Sequence, residues 1–153
     1  MNRRNILWTA LSSIGAAFAA SGANAATADQ PQARSSENLR VIYHLSDLDK
    51  VSFVLGNIQN HFDGVGGPDK VTIALVVHGP ALRAFHQASA NPDMMRRVGQ
   101  FSEAGVELAA CGNTMKSQNV TLQDLLPGFV KADKGGVVRI AGLQAQGYLY
   151  LRP

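Results

Sequence analysis

"KVTIALVVHG", residues 70–79, is a near-continuous apolar run with Val and Ile in excess, closed by Gly79 and Pro80. A run this short and this rich in β-branched residues reads as a strand buried on both faces, the kind found in parallel sheets flanked by helices. Upstream, "LRVIYHL" (39–45) is a second β-rich run, followed by Ser46 and Asp47, good N-cap types. "LDKVSFVLGNIQNHF" (48–62) then carries apolar residues at 48, 51, 54, 55, 58 and 62, a helical stripe, and "DGVGGPDK" (63–70) reads as a loop.

Downstream, "ALRAFHQA" (81–88) reads as a short helix with Pro80 near its first turn. Asn91-Pro92-Asp93 opens a further helix, "DMMRRVGQFSEAG", with Gly105 at its C-terminal stop. "VELAAC" (106–111) is the third strand, and a helical turn is expected to begin near Thr114. "TLQDLLPG" (121–128) reads as a short helix capped by Thr121 and ended by Pro127. "FVKAD" and "YLYLRP" read as the fourth and fifth strands, separated by helical spacing through Val138, Ala141 and Ala145. Strands alternating with helices predict an α/β fold with a mostly parallel five-stranded sheet and helices on both faces.

The start of the chain reads differently. Arg3 and Arg4, the apolar stretch "ILWTALSSIGAAFAA" and the Ala23-Asn24-Ala25 site predict a signal peptide over 1–25. "RRNIL" favours the twin-arginine type over an ordinary secretory leader. The apolar core is too short and too rich in small residues for stable membrane insertion. Residues 26–37, "ATADQPQARSSE", read as a disordered lead-in to a single domain over 38–153. The expected location is therefore the periplasm. Losing Arg3 and Arg4 removes two of the three net positive charges, which leaves no basic surface suited to nucleic acid.

One cysteine among 153 residues excludes an internal disulfide and a multi-thiolate metal site. Its position is informative. The first three strands run into His44, His78 and Cys111, and in a parallel sheet those ends share the edge where ligands bind. Taken alone, His44 reads as a residue that caps backbone groups, and Cys111 could equally be a small buried hydrophobe. His61 and His86 read as surface residues on helices, and Tyr43, Tyr148 and Tyr150 as packing. The setting of Cys111 favours chemistry. Gly112 permits a turn, and Asn113 or Thr114 can cap a helix whose free amides then favour a thiolate or a persulfide anion. His78, followed by Gly79 and Pro80, is placed to donate to that anion or move a proton. A hydrolase reading lacks both a Gly-x-Ser-x-Gly elbow and a group to orient a Cys–His pair.

With "VIYHLSD", "NIQNH", "VVHGPAL", "GVELAACGNTM" and "LQAQGYLYLRP" in this order, the chain resembles the DsrE/DsrF-like family from about Leu39 to Pro153. The resemblance implies a three-layer α/β/α domain, assembly into homotrimers or homohexamers, and, in the sulfur-relay members, a cysteine that carries persulfide sulfur between proteins. Cys111 stands where those members place it. The export signal and the "ACGNTM" stretch depart from the cytoplasmic relay members and look like a less characterised branch. His44, Asn60 and Gly79 are candidate neighbours of the site by position in the chain, alongside His78 and the Gly112–Thr114 turn.

Three functions compete on the sequence. The first is a periplasmic sulfur carrier or sulfurtransferase-like protein with no cofactor and no metal, in which Cys111 accepts sulfur and His78 stabilises the anion. The second is a module holding Cu(I) or Zn(II) on His44, His78 and Cys111. The third is a structural or interaction subunit with a silent thiol. The sequence names no sulfur donor or acceptor.

Overall fold

The computed structural model describes residues 38–153, so the expected leader and lead-in lie outside the described residues. Five strands form one sheet: β1 (Leu39–Leu45), β2 (Val71–Val77), β3 (Glu107–Cys111), β4 (Phe129–Ala132) and β5 (Leu149–Leu151). Their order is β4-β3-β2-β1-β5 and every pairing is parallel. The helices are α1 (Val51–Val65), α2 (Pro92–Glu103), α3 (Gly112–Gln118) and α4 (Gly136–Ala145). This is the α/β architecture expected from the apolar runs.

Side chains alternate between the faces of a strand, and the register carries that alternation across the sheet. Val41, Tyr43 and Leu45 lie level with Ile73, Leu75 and Val77, and Leu108 and Ala110 continue the row. This face packs on α1 and α2 through Val54, Leu55, Ile58, Val98 and Phe101, forming the larger core. The opposite face carries Ile42, Ala74, Val76 and Ala109 and is covered by α4 through Ile140 and Leu143. Alanines at 74 and 109 leave room for a single helix to lie close.

Local differences from the sequence reading have physical causes. Helix α1 continues to Val65, where Gly66 at φ 90° ends it, so the first three residues of the expected loop are helix and Pro68–Lys70 form a 3-10 turn. Residues 79–85 wind as a 3-10 helix rather than an α-helix, which aims Ala81, Leu82 and Phe85 into the core. "TLQDLLPG" holds one 3-10 turn, Leu122–Asp124, closed by a capping box between Thr121 and Asp124. Leu125 and Leu126 then run extended: Leu125 bridges His86, and the Leu126 N–H donates to the Phe85 carbonyl at 2.9 Å. Both leucines are buried that way, and a helix would turn one of them out.

Leu75, central and fully buried in β2, should be the costliest position to truncate. Leu75→Ala is expected to lower stability by about 2–5 kcal/mol. Urea unfolding should show the midpoint fall at an unchanged m-value.

Candidate functional site

The alternation that builds the core also selects the site. His44 is two residues beyond Ile42, His78 two beyond Val76, and Cys111 two beyond Ala109, so all three belong to the α4 side of the sheet. Tyr150 pairs with Ile42 and joins the same side from β5. The structure divides these residues into two adjoining groups.

The first group surrounds the thiol. Cys111 is buried, with 6% of its surface exposed, and it ends β3 and serves as the N-cap of α3. Helix α3 therefore starts one residue after the cysteine, at Gly112, and neither Asn113 nor Thr114 is the cap. Burial alone would push the thiol up. The Thr114 hydroxyl and the backbone N–H groups of Thr114, Gly136 and Asn113 outweigh it and hold the thiol below the ordinary cysteine range. The sulfur makes no full cap hydrogen bond, so these donors act by favouring the charged form. Two of the backbone donors come from the start of α3 and one from the start of α4, so two helix N-termini converge on one sulfur.

Two glycines make that convergence possible. Gly112 has ordinary helical geometry, and its role is space: a Cβ there would lie 3.0 Å from the Ala132 carbonyl oxygen. Gly135, at φ 98°, passes over the site where a Cβ would meet the Asn113 side-chain nitrogen at 2.7 Å and lie 3.9 Å from Sγ. Gly112 thus serves close approach instead of the turn the sequence suggested. Thr114 also accepts the Gly79 N–H at 2.9 Å, and Gln118 donates to the Gly79 carbonyl at 2.9 Å, so α3 holds the turn after β2.

The second group is a chain of rings. The Tyr150 hydroxyl meets His44 Nδ1 at 2.6 Å, and His44 Nε2 faces His78 Nε2 in a close hydrogen bond. Burial pushes both imidazoles below the usual histidine value. Arg152 adds to this for both and His78 adds to it for His44, while Asp47 opposes. His78 therefore spends its Nε2 on His44 rather than on the sulfur, although its Cβ and that of Cys111 both border Gly136.

Other candidates fall elsewhere. Asn60 is exposed on α1, which packs on the Tyr43 face, so strand alternation separates it from the thiol side. His61 is half-buried and bonds the Tyr43 hydroxyl at 2.9 Å; His86 is half-buried and bonds Gln118 at 2.9 Å, so neither is a free surface residue. Tyr148 packs under the Arg40 guanidinium, as a packing residue should. Tyr150, Gly135 and Gly136 are the site residues that sequence reasoning missed; the signals would have been the pairing of β5 with β1 and the paired glycines after β4. Among the described residues, no three His, Cys, Asp or Glu side chains come together as a metal set, so the combination of His44, His78 and Cys111 does not form.

The described residues form a parallel α/β domain with helices on both faces of the sheet and its one thiol at the end of β3. The family model for the DsrE/DsrF-like family matches residues 23–153, and the chain belongs to that family. Among solved structures it is similar to MTH1491, a protein of unknown function from Methanobacterium thermoautotrophicum. The two are 26% identical with a TM-score of 0.66, over 75% of this chain and 99% of that one. It is also similar in fold to the ychN protein from E. coli, at 10% identity and a TM-score of 0.59, over 75% of this chain and 100% of that one. No curated protein matches the chain.

Thr114→Val should raise the pKa of Cys111, and Thr114→Ser should leave it near wild type. Alkylation rate against pH reads this directly. The sign for stability follows: because the folded value is depressed, the thiolate's contribution is full above the unfolded cysteine's pKa and is lost as pH falls through the folded one. Wild type should therefore gain on Cys111→Ser as pH rises across that interval.

Proposed function

We propose that this protein is a sulfur carrier in which Cys111 holds sulfane sulfur as a persulfide. The observation that carries the reading is the set of donors around Sγ: three backbone N–H groups and one hydroxyl favour an anion there, and a persulfide is an anion at neutral pH. Membership of the DsrE/DsrF-like family suggests a sulfur-related function. With no second cysteine in the chain, a loaded Cys111 has no internal thiol to discharge it and must wait for an acceptor. In loading, the Cys111 thiolate attacks the terminal sulfur of a polysulfide. A new S–S bond forms to Sγ, the donor's S–S bond breaks, and the shortened polysulfide leaves with the electron pair. A groove lined by Ala109, Ala132, Gly135 and Val138, with the Arg139–Glu107 ion pair on its wall, is separated from the thiol by Gly135, where a Cβ would lie 3.9 Å from Sγ. Mass spectrometry after polysulfide treatment should show one added sulfur on wild type and none on Cys111→Ser. No adduct with any donor, together with a thiol inert to alkylation, would overturn the carrier reading in favour of a silent core cysteine.

The protein is further proposed to work in the periplasm as a closed homotrimer or homohexamer. The leader-like start supports export. Val130, Val137, Val138, Leu149 and Leu151 support assembly, being exposed apolar residues around α4 and the β5 edge. Among the described residues no helix is long and apolar enough to cross a membrane. Protein recovered from periplasm should begin at Ala26 and scatter light as three or six subunits. An N-terminus at Met1 or a monomer at micromolar concentration would contradict this.

A further inference from the structure

We propose that Tyr150, His44 and His78 form an acid-released latch across the carboxyl ends of β5, β1 and β2. It holds while the histidine pair carries one extra proton and opens on the second. The latch runs from the Tyr150 hydroxyl to His44 Nδ1 at 2.6 Å, and from His44 Nε2 to His78 Nε2 in direct contact. The two ring centroids lie 4.7 Å apart, so one hydrogen, and no more, fits between the facing nitrogens.

The proton count follows from the chemistry of imidazole. A neutral ring carries one N–H and an imidazolium two. In the neutral pair, one Nε2–H donates to the other Nε2, and the accepting ring keeps its own hydrogen on Nδ1. A first extra proton takes the bare Nδ1 of the donating ring, and the contact survives as imidazolium to imidazole. The tyrosine adapts to either state: its hydroxyl donates to a bare His44 Nδ1 and its oxygen accepts from a protonated one. A second extra proton has only the shared Nε2 left to take. Two N–H groups and two positive charges then face each other, and the rings part.

The surroundings set when this happens. Both rings are half-buried, and burial is the larger bias against their charge. Arg152, just after β5, adds to it, and Asp47, just after β1, opposes; these two form an exposed ion pair at 3.4 Å. Arg139 of α4 is spent on Glu107, and α3 meets the turn after β2 through the neutral Thr114 and Gln118. Cys111 lies across Gly136 from His78, so the latch opens at the edge of the sheet that carries the thiol. It does not depend on what the thiol does. With both folded values lowered, the pair's contribution to stability is full above the unfolded histidine's pKa and is lost as pH falls through the folded ones.

Nitrogen-15 and proton NMR of the histidine rings, followed against pH, tests the latch on the wild-type protein. His44 and His78 should titrate together in two separate steps, the second well below the ordinary histidine value. Ring-to-ring Overhauser contacts between them should persist through the first step and vanish at the second. His44→Gln keeps an amide that can donate to or accept from His78, so there His78 should titrate in a single step at higher pH than the second wild-type step. Far-UV circular dichroism over the same range reports whether the fold persists. Should wild type unfold at the second step, His44→Gln should stay folded to roughly half a pH unit lower, because it cannot take up that proton. Independent titration of the two rings at the ordinary value, ring contacts that outlast both steps, or acid unfolding of both proteins at one pH would overturn the latch.

Discussion

The passage of the chain from β4 into α4 over the first residue of α3 is the constraint on which the site depends. Gly112 lets the end of β4 come down onto α3, since a Cβ there would lie 3.0 Å from the Ala132 oxygen. Gly135 then carries the chain past Asn113, and the Gly136 N–H arrives at the sulfur. Without that approach Cys111 would have only the two backbone N–H groups of its own helix. With it, the sulfur lies where two helices begin, and the sum of their donors exceeds the cost of burial.

The small residues beneath α4 and the fork between Arg139 and Glu107 serve the same end. Arg139 Nε donates to Glu107 Oε1 at 2.8 Å and Nη2 to Oε2 at 2.5 Å, tying α4 to the start of β3. Ala109 and Val76 give α4 a flat bed between that fork and Gly136. The larger core on the other face carries α1 and α2 and accounts for most of the buried apolar surface. The two faces thus divide the work, one holding the sheet together and the other positioning chemistry.

Much of this was legible in the sequence, because a two-sided buried strand leaves a dense β-branched run such as Val71–Val77. His44, His78 and Cys111 could be assigned to one edge from strand ends alone, and the register places them on one side. What sequence spacing does not encode is which strands neighbour each other. The contact of Tyr150 with His44 needs β5 beside β1, and the contact of Gly136 with Cys111 needs the loop after β4 to cross β3. The direction of the His78 ring was hidden for the same reason, since His44 on the adjacent strand captures its nitrogen. Asn60 was misplaced because a helix packed on one face of a sheet is remote from side chains on the other.

The Thr114 oxygen accepts from the Gly79 N–H, and the same hydroxyl is among the groups that favour the thiolate of Cys111. One side chain thus serves both the surroundings of the sulfur and the backbone next to His78. Gln118, one helical turn further on, links the same backbone to His86. Helix α3 in this way joins the turn after β2 to the half-buried His86 side chain.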